Sequence, residues 1–173
     1  STPLWSRNIG GPYTASISAD GEYIAVANGY NIYLFNKDSS TPLWSYESEG
    51  WVYSVAISAD GEYIAVSSSD NVYLFEKDSN TPLWNYDSDL YMLSVSISAN
   101  GEYIAVGESS YGNVYLFAKN SNTPLWNHTT YEDVYTVAIS ADGEYIVAGS
   151  HADSTGSFPK ARLFSKDSST PLW

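Results

Sequence analysis

The chain has 173 residues, enough for a domain with a substantial core, and it carries 20 acidic against 7 basic side chains. The resulting net charge of -13 argues against a nucleic-acid backbone or an anionic membrane as a partner. The absence of cysteine excludes disulfides, thiolate metal sites and thiol nucleophiles. No apolar run reaches the length of a membrane span, so we expect no membrane insertion.

A repeat dominates the sequence. "SADGEYIAV" occupies residues 18–26 and 58–66, "SANGEYIAV" residues 98–106, and "SADGEYIVA" residues 140–148. A second motif, "TPLW", recurs about every 40 residues and ends at Trp5, Trp44, Trp84, Trp126 and Trp173. A period of this length without a helical pattern is typical of four-stranded propeller blades.

The second repeat shows four short strands in chain order. Residues 53–58 alternate Val and Ile with small side chains, and further strands are predicted over residues 62–67, 72–77 and 82–86. Asp60 and Gly61 supply a tight turn after the first strand, because glycine adopts positive φ without a steric penalty. Pro82 cannot donate a ladder hydrogen bond, which places the fourth strand at the outer edge, with Trp84 packed on a neighbouring blade.

We therefore predict an all-β fold: a β-propeller with four four-stranded antiparallel blades, as a single module over residues 1–173. The approximate repeats are 6–44, 45–84, 85–126 and 127–173, and residues 1–5 form an extra outermost strand. Three arrangements remain open: a closed small ring, part of a larger propeller, or half of an eight-bladed dimer. An open arc would expose strand edges and apolar blade faces, so self-association through the blade edges is a further expectation.

Two stretches of the second repeat resemble known blades. "SVAISADGEYIAVSSSDNVYLF", residues 54–75, resembles a WD-repeat blade, and "VYLFEKDSNTPLW", residues 72–84, resembles a quinoprotein-like blade that ends in a fourth-strand tryptophan. The resemblance implies a propeller scaffold, a fold that hosts many unrelated tasks. The Gly-His dipeptide of WD repeats is absent and Phe75-Glu76-Lys77 replaces its Trp-Asp, so the His-Asp network of that family is not carried over.

Catalytic signals are weak. Most acids occupy the same turn in every repeat, and residues repeated around a ring do not converge on one centre. The two histidines, His128 and His151, lie in non-equivalent loops, and no calcium-loop pattern occurs. We expect no metal, no cofactor and no enzymatic activity; a fragment of a quinone-dependent or glycan-cleaving propeller enzyme is the least favoured alternative.

Differences between the repeats are the better guide to recognition, since loops on a rigid scaffold carry binding residues. The loops after strands two and four should share one end of the blades, where acids alternate with aromatic residues. This composition suits a basic peptide, a cation or a sugar. The predicted binding residues are Glu49, Trp51, Asp89, Tyr91, Tyr111, Tyr131, Glu132, Asp133 and His151, with Glu47, Asp70, Asp87, Glu108 and Asp153 in the same loop set.

The fourth repeat departs most from the others. Residues 149–164 lengthen its second loop and hold Lys160 and Arg162, which we predict to contact another subunit. Asn127 begins an Asn-His-Thr acceptor triplet for glycosylation, which, with the acidic and polar composition, favours an extracellular or cell-surface location. The predicted function is a non-enzymatic scaffold for protein–protein interaction or surface assembly. The alternative is a carbohydrate- or cation-binding propeller that uses the acidic, aromatic loops.

Overall fold

A computed structural model describes residues 2–11, 13–151 and 159–173. Every regular element in these ranges is a β-strand. The strands are β1 (Thr14–Ile17), β2 (Tyr23–Asn28), β3 (Asn31–Asn36), β4 (Trp44–Glu47), β5 (Val52–Ile57), β6 (Tyr63–Ser68), β7 (Asn71–Glu76), β8 (Trp84–Asp87), β9 (Met92–Ile97), β10 (Tyr103–Glu108), β11 (Asn113–Ala118), β12 (Trp126–Thr129), β13 (Val134–Ile139), β14 (Tyr145–Ser150) and β15 (Lys160–Ser165).

The strands form four antiparallel sheets, each a consecutive meander: β1 to β4, β5 to β8, β9 to β12, and β13 to β15. The first three sheets have four strands, and three are assigned in the described part of the fourth. There Leu172 N–H donates to the carbonyl of Leu163 over 2.7 Å, the same first bond that Leu125 makes to Leu116 in the third sheet. The predicted all-β propeller of four antiparallel blades is therefore confirmed, with Leu172 and Trp173 at the outermost position of the fourth.

Side-chain hydrogen bonds stabilise the first turn of each blade. In the second blade, the Ser58 hydroxyl donates to Asp60 Oδ1 over 2.6 Å, and the same oxygen accepts the Glu62 N–H over 3.0 Å. The third blade has Asn100 at this place, and its amide oxygen accepts the Ser98 hydroxyl over 2.8 Å. An amide can replace the carboxylate because the turn needs only an acceptor. These repeated acids serve local structure.

The tryptophans join each blade to the next. The indole N–H of Trp84 donates over 2.7 Å to the carbonyl of Lys119, which lies in the turn after the third strand of the following blade. Its ring packs on Phe117 with a centroid distance of 5.6 Å. Trp44 and Trp126 make the equivalent bonds, each over 2.7 Å. The predicted packing of these side chains against neighbouring blades is what the structure shows.

Trp5 occupies the same place on the first blade. Its indole donates to the carbonyl of Lys37 over 2.6 Å, and its ring lies 5.4 Å from that of Phe35. Residues 2–5 therefore hold the position of an outermost strand that precedes the first blade. Among the described strands, the innermost strands contact one another in the sequence β1, β5, β9, β13, and no contact of comparable extent links β1 with β13. The four blades form a series with two ends.

We predict that a blade-turn glycine is more sensitive to substitution inside the series than at its start. A Cβ at Gly143, φ +78°, would lie 2.6 Å from Tyr103 Cδ2, whereas one at Gly21, φ +75°, would meet nothing within 4 Å. Both substitutions incur the left-handed backbone cost. Gly143→Ala should lower the free energy of unfolding by about 2–4 kcal/mol and Gly21→Ala by about 1–2 kcal/mol. Equal losses in chemical denaturation would contradict the tight Tyr-on-Gly packing between blades.

Candidate functional site

The loops after strands two and four lie at one end of the sheets, as the sequence predicted. In each of the last three blades, a backbone hydrogen bond joins the loop after strand two to the loop that enters the blade. Ser69 N–H donates to the Trp51 carbonyl and Ser109 N–H to the Tyr91 carbonyl, both over 2.9 Å, and His151 N–H donates to the Asp133 carbonyl over 3.0 Å. We call this end the loop face; it comprises residues 29–30, 47–51, 69–70, 87–91, 109–112, 130–133 and 151. Asp153, which was predicted to belong to it, lies outside the described residues.

An aromatic group stands at the first-to-second blade junction of the loop face. The Trp51 side chain is 42% exposed, and the rings of Tyr30 and Tyr13 meet it nearly edge-on at centroid distances of 5.8 and 6.5 Å. Gly29 lies against the Trp51 ring, where an added Cβ would come within 3.3 Å. The sequence pointed to Trp51 alone, because Tyr13 and Tyr30 come from an irregular first repeat.

Acids and an aromatic residue surround a depression at the next junction. Asp70, Asp89, Leu90, Tyr91 and Ser110 line a volume of about 340 Å³. The Tyr91 ring also lies 6.1 Å from Tyr53, which supports it from the innermost strand. Since both carboxylates are exposed, the depression offers negative charge beside the side chains of Leu90 and Tyr91.

The third junction is held in a strained conformation. Ser110 and Tyr131 have φ values of 72° and 62°, the two non-glycine residues with positive φ in the described chain. Asp133 Oδ1 accepts the Ser110 N–H over 2.5 Å, and Tyr131 N–H donates to the Tyr111 carbonyl over 3.2 Å. These bonds hold two tyrosines, 64% and 76% exposed, on neighbouring loops. Strain of this kind concentrates at sites that bind or react.

Glu132 is not on the surface, although the sequence predicted it among the binding residues. Its side chain is 3% exposed and accepts from the Ser150 hydroxyl over 2.5 Å and from Arg162 over 3.2 Å. Lys160 reaches the other carboxylate oxygen over 3.3 Å and stays half-exposed. Arg162, predicted to contact another subunit, therefore neutralises a buried acid of its own blade.

One substitution in the repeat explains this ion pair. Arg162 stands where the third blade has Tyr115, as "RLF" replaces "YLF" in the sequence. In the third blade the Tyr115 hydroxyl donates to Glu108, which is fully buried and also accepts from Asn113 Nδ2 over 2.8 Å. Glu108, expected in the exposed loop set, is thus an internal acceptor. Burial, and the bond to Glu108, raise the pKa of Tyr115.

Metal-binding geometry is absent from the part of the chain that the structure describes: no three His, Asp or Glu side chains are grouped as ligands. His128 lies 5.1 Å from the Phe164 ring, and burial lowers its pKa. The His151 ring, which belongs to the loop face, meets the Tyr135 ring edge-on at a centroid distance of 6.0 Å. Asn127 is exposed on the outermost strand β12. The described residues also contain no helix able to cross a membrane.

The buried ion pair predicts a pH-dependent stability. The Ser150 hydroxyl, then Arg162 and Lys160, hold the pKa of Glu132 below its ordinary value of 4.5. A lowered native pKa means that the carboxylate stabilises the fold above pH 4.5 and that this contribution is lost as the pH falls through the native pKa. Glu132→Gln should cost about 2–4 kcal/mol at pH 7, with the deficit shrinking towards pH 3.

Denaturation of both proteins across this pH range measures the difference. Glu49→Gln is the matched control, because Glu49 is an exposed carboxylate of the same loop face. A deficit for Glu132→Gln that is independent of pH would show that the charge does not stabilise the fold.

Comparisons with known proteins place the chain in a family. Residues 2–161 match the family described as "Outer membrane protein assembly factor BamB". No curated protein matches the chain significantly. Among solved structures 1378 chains match, so the fold is common and by itself names no activity.

One of these solved chains is from Kuenenia stuttgartiensis hydrazine synthase. The two chains share 16% sequence identity, and their structures match with a TM-score of 0.80. The match covers 94% of this chain and 48% of the hydrazine synthase chain, so this chain spans about half the length of that one. At this identity the likeness shows the fold alone. Of the two resemblances in the sequence, the quinoprotein-like one is supported and the WD-repeat one is not shown specifically. The family match covers most of the 173 residues, and the chain belongs to the BamB family of β-propellers.

Proposed function

We propose that the chain is a non-enzymatic scaffold whose loop face binds a basic, extended segment of a partner protein. The family to which it belongs is described as an assembly factor, and such a role requires contact between proteins. Exposed aromatic side chains beside carboxylates suit lysine and arginine, which combine a cationic head with an apolar stem. The surface therefore matches a basic peptide in both charge and polarity.

The combination of unpaired acids and exposed aromatic rings on the loop face carries this proposal. At the turn end, opposite the loop face, each repeated lysine pairs with a glutamate of its own blade: Lys37 with Glu22, Lys77 with Glu62, Lys119 with Glu102, and Lys166 with Glu144. In contrast, within the described ranges no base pairs with the exposed acids of the loop face, Glu47, Glu49, Asp70, Asp87 and Asp89. Unpaired acids also occur at the turn end, so the loop face differs in placing its unpaired acids beside the exposed rings of Trp51, Tyr91 and Tyr131.

The aromatic residues add specificity to that charge. Trp51, Tyr91 and Tyr131 stand at successive blade junctions, so an extended segment crossing the face would meet one ring at each junction. A cation over an aromatic ring is stabilised by about 0.5–2 kcal/mol. Carboxylates alone would attract any small cation. Three ring contacts would favour a peptide that carries several cationic side chains over such counterions.

Catalysis has no place in the proposal. The buried acids Glu108 and Glu132 are engaged by Tyr115 and Arg162, and each lies under its loop rather than at its surface. Intact-mass and metal measurements on the purified chain test the alternative that it is a fragment of a cofactor-dependent enzyme. A bound quinone or a stoichiometric metal would contradict the non-enzymatic assignment.

We also propose an extracellular or cell-surface location. The exposed position of Asn127 leaves its acceptor triplet accessible, and the name of the family refers to an outer-membrane assembly. Expression in a secretory host tests accessibility: glycan at Asn127, lost in Asn127→Gln, is expected. An unmodified Asn127 would remove this support.

Binding of a defined basic peptide tests the proposed function. The probe is a fluorescent peptide of alternating Lys, Arg and Gly, titrated at low and moderate salt. The Trp51→Ala, Tyr91→Ala, Tyr131→Ala triple variant should weaken binding at least about tenfold, since three ring contacts are lost. All three rings are exposed, so folding should be retained and is checked by circular dichroism.

A matched pair of charge variants locates the contact. Asp89→Asn on the loop face and Asp78→Asn at the turn end remove the same charge from exposed positions. Only Asp89→Asn should weaken peptide binding. Equal effects of both variants, or no effect of the triple variant, would reduce the binding to non-specific attraction and contradict the proposal.

A second candidate ligand is a carbohydrate. The Trp51 ring, backed by Gly29 and flanked by two tyrosines, is an exposed platform of the kind on which a sugar ring stacks. A panel of neutral oligosaccharides separates the two candidates. Sugar binding that is lost in Trp51→Ala and unchanged in Asp89→Asn would favour the carbohydrate.

A further inference from the structure

The fourth blade presents an uncovered apolar face. Val147 is 37% exposed, whereas Ala25, Ala65 and Ala105 at the equivalent position of the other blades are completely buried. Beside it, Tyr145 and Leu163 line an open groove, and Trp173 is 65% exposed. We call Tyr145, Val147, Leu163 and Trp173 the fourth-blade face.

The first blade presents the opposite uncovered face. Ile17 is 60% exposed, while its equivalent Ile57 is 8% exposed. Ile24 is partly exposed, although Ile64 at the same place in the second blade is fully buried. We call Ala15, Ile17, Gly21, Ile24 and Lys37 the first-blade face.

The three interfaces inside the chain show what each face is built to receive. At the first of them, Tyr23 lies against Gly61, where an added Cβ would be 2.5 Å away, and Lys77 Nζ stands 5.2 Å above the tyrosine ring. Tyr63 and Tyr103 are held in the same way by the next blade. A backbone bond accompanies each contact, as when Ala19 N–H donates to Ala59 over 3.0 Å.

The two end faces carry the matching halves of this contact. The fourth blade offers Tyr145 and, at Ala141, the N–H that corresponds to the donor Ala19. The first blade offers Gly21, with nothing within 4 Å of an added Cβ, and Lys37, whose amine has no ring beneath it among the described contacts. Docking of one face on the other would therefore reproduce the internal interface.

A reciprocal exchange in size supports the match. Inside the chain, each interface buries an alanine of one blade in a cluster with a valine of the next: Ala25 with Val55, Ala65 with Val95, and Ala105 with Val137. At the ends the two sizes are reversed, because the fourth blade has Val147 at the alanine position and the first has Ala15 at the valine position. The pair keeps its total volume, which is the substitution that packed interfaces tolerate best.

We propose that the fourth-blade face of one copy docks head to tail on the first-blade face of a second copy, which in turn docks back through its own fourth blade. Such an interface is heterologous, since it joins two different surfaces. It is independent of the loop face, so its failure would leave the proposed binding function untouched. The occupant of the uncovered faces is thus a second copy of this chain.

The duplicated tryptophan determines how the outermost strand fits. Trp173 of the docking blade would donate to the carbonyl of Lys37, but Trp5 already fills that place. In the pair, residues 2–5 of the receiving copy can therefore lie along β15 of the other copy, and Leu4 N–H can take the Leu163 carbonyl from Leu172. The two TPLW segments compete for one strand position, so either can complete the interface.

Light scattering after size exclusion tests the pairing. A species of twice 19.0 kDa is expected, and because each copy carries a charge of -13, added salt should strengthen the association. Val147→Asp and Ile17→Asp should each weaken dimerisation about 100-fold, by burying an unpaired carboxylate. Mixing the two variants should restore a dimer, since one intact interface remains between them.

Two substitutions that change side-chain size without adding charge serve as a control for misfolding of the Asp variants. Ala15→Val should weaken the dimer by overpacking against Val147, and Val147→Ala in the same chain should restore it, because the end faces then match the internal ones. A monomer of 19.0 kDa under all conditions would overturn the proposal and leave further blades as the occupant. Loss of dimer in Val147→Asp but not in Ile17→Asp would overturn the head-to-tail geometry.

Discussion

The structure depends on one contact between blades: an indole N–H that donates to a main-chain carbonyl of the following blade. Trp44, Trp84 and Trp126 each make it over 2.7 Å while packing on a buried phenylalanine. The bond fixes the outermost strand of one sheet to the outer turn of the next. The Tyr-on-Gly contact lies at the same turn end, since the amine of Lys119, whose carbonyl accepts the Trp84 indole, also covers the Tyr63 ring. Beside these two contacts lies an apolar cluster whose residues come from both sheets. Each apolar cluster is thus completed only by residues of two neighbouring blades.

The tryptophan, tyrosine and glycine residues that join the blades are the same in every repeat. The residues that differ between repeats are concentrated where the second and third strands meet the loop face. The equivalent position at the end of the second strand holds Asn28, Ser68, Glu108 and Ser150 in successive blades, partly buried in the first blade and buried in the other three. In the third blade Tyr115 and Asn113 both donate to one carboxylate oxygen of Glu108, and in the fourth blade Ser150 bonds Arg162 and the loop residue Glu132. The hydrogen-bond partners of this position therefore differ from blade to blade.

The repeats were enough to predict the propeller and the strands almost to the residue, because turn and alternation signals occur in every copy. The exposed positions of Trp51, Tyr91, Tyr111 and Tyr131 could also be predicted, since these residues lie in loops where the repeats differ. The burial of Glu132 could not be predicted, because its side chain points inward towards Arg162, which lies 30 residues further along the chain. A loop acid looks solvent-exposed in sequence until its buried partner is known. The replacement of tyrosine by arginine was the available signal.

The near-identity of the outermost strands also affects how the chain reaches its fold. Leu43, Leu83, Leu125 and Leu172 all open their strand with the same 2.7 Å bond to an equivalent leucine. A TPLW segment therefore gains almost the same local energy beside the wrong third strand as beside its own, and the folding landscape contains mispaired states of similar depth. Short connections between third and fourth strands favour the correct pairing kinetically, because closing a small loop costs less entropy than closing one that skips a blade.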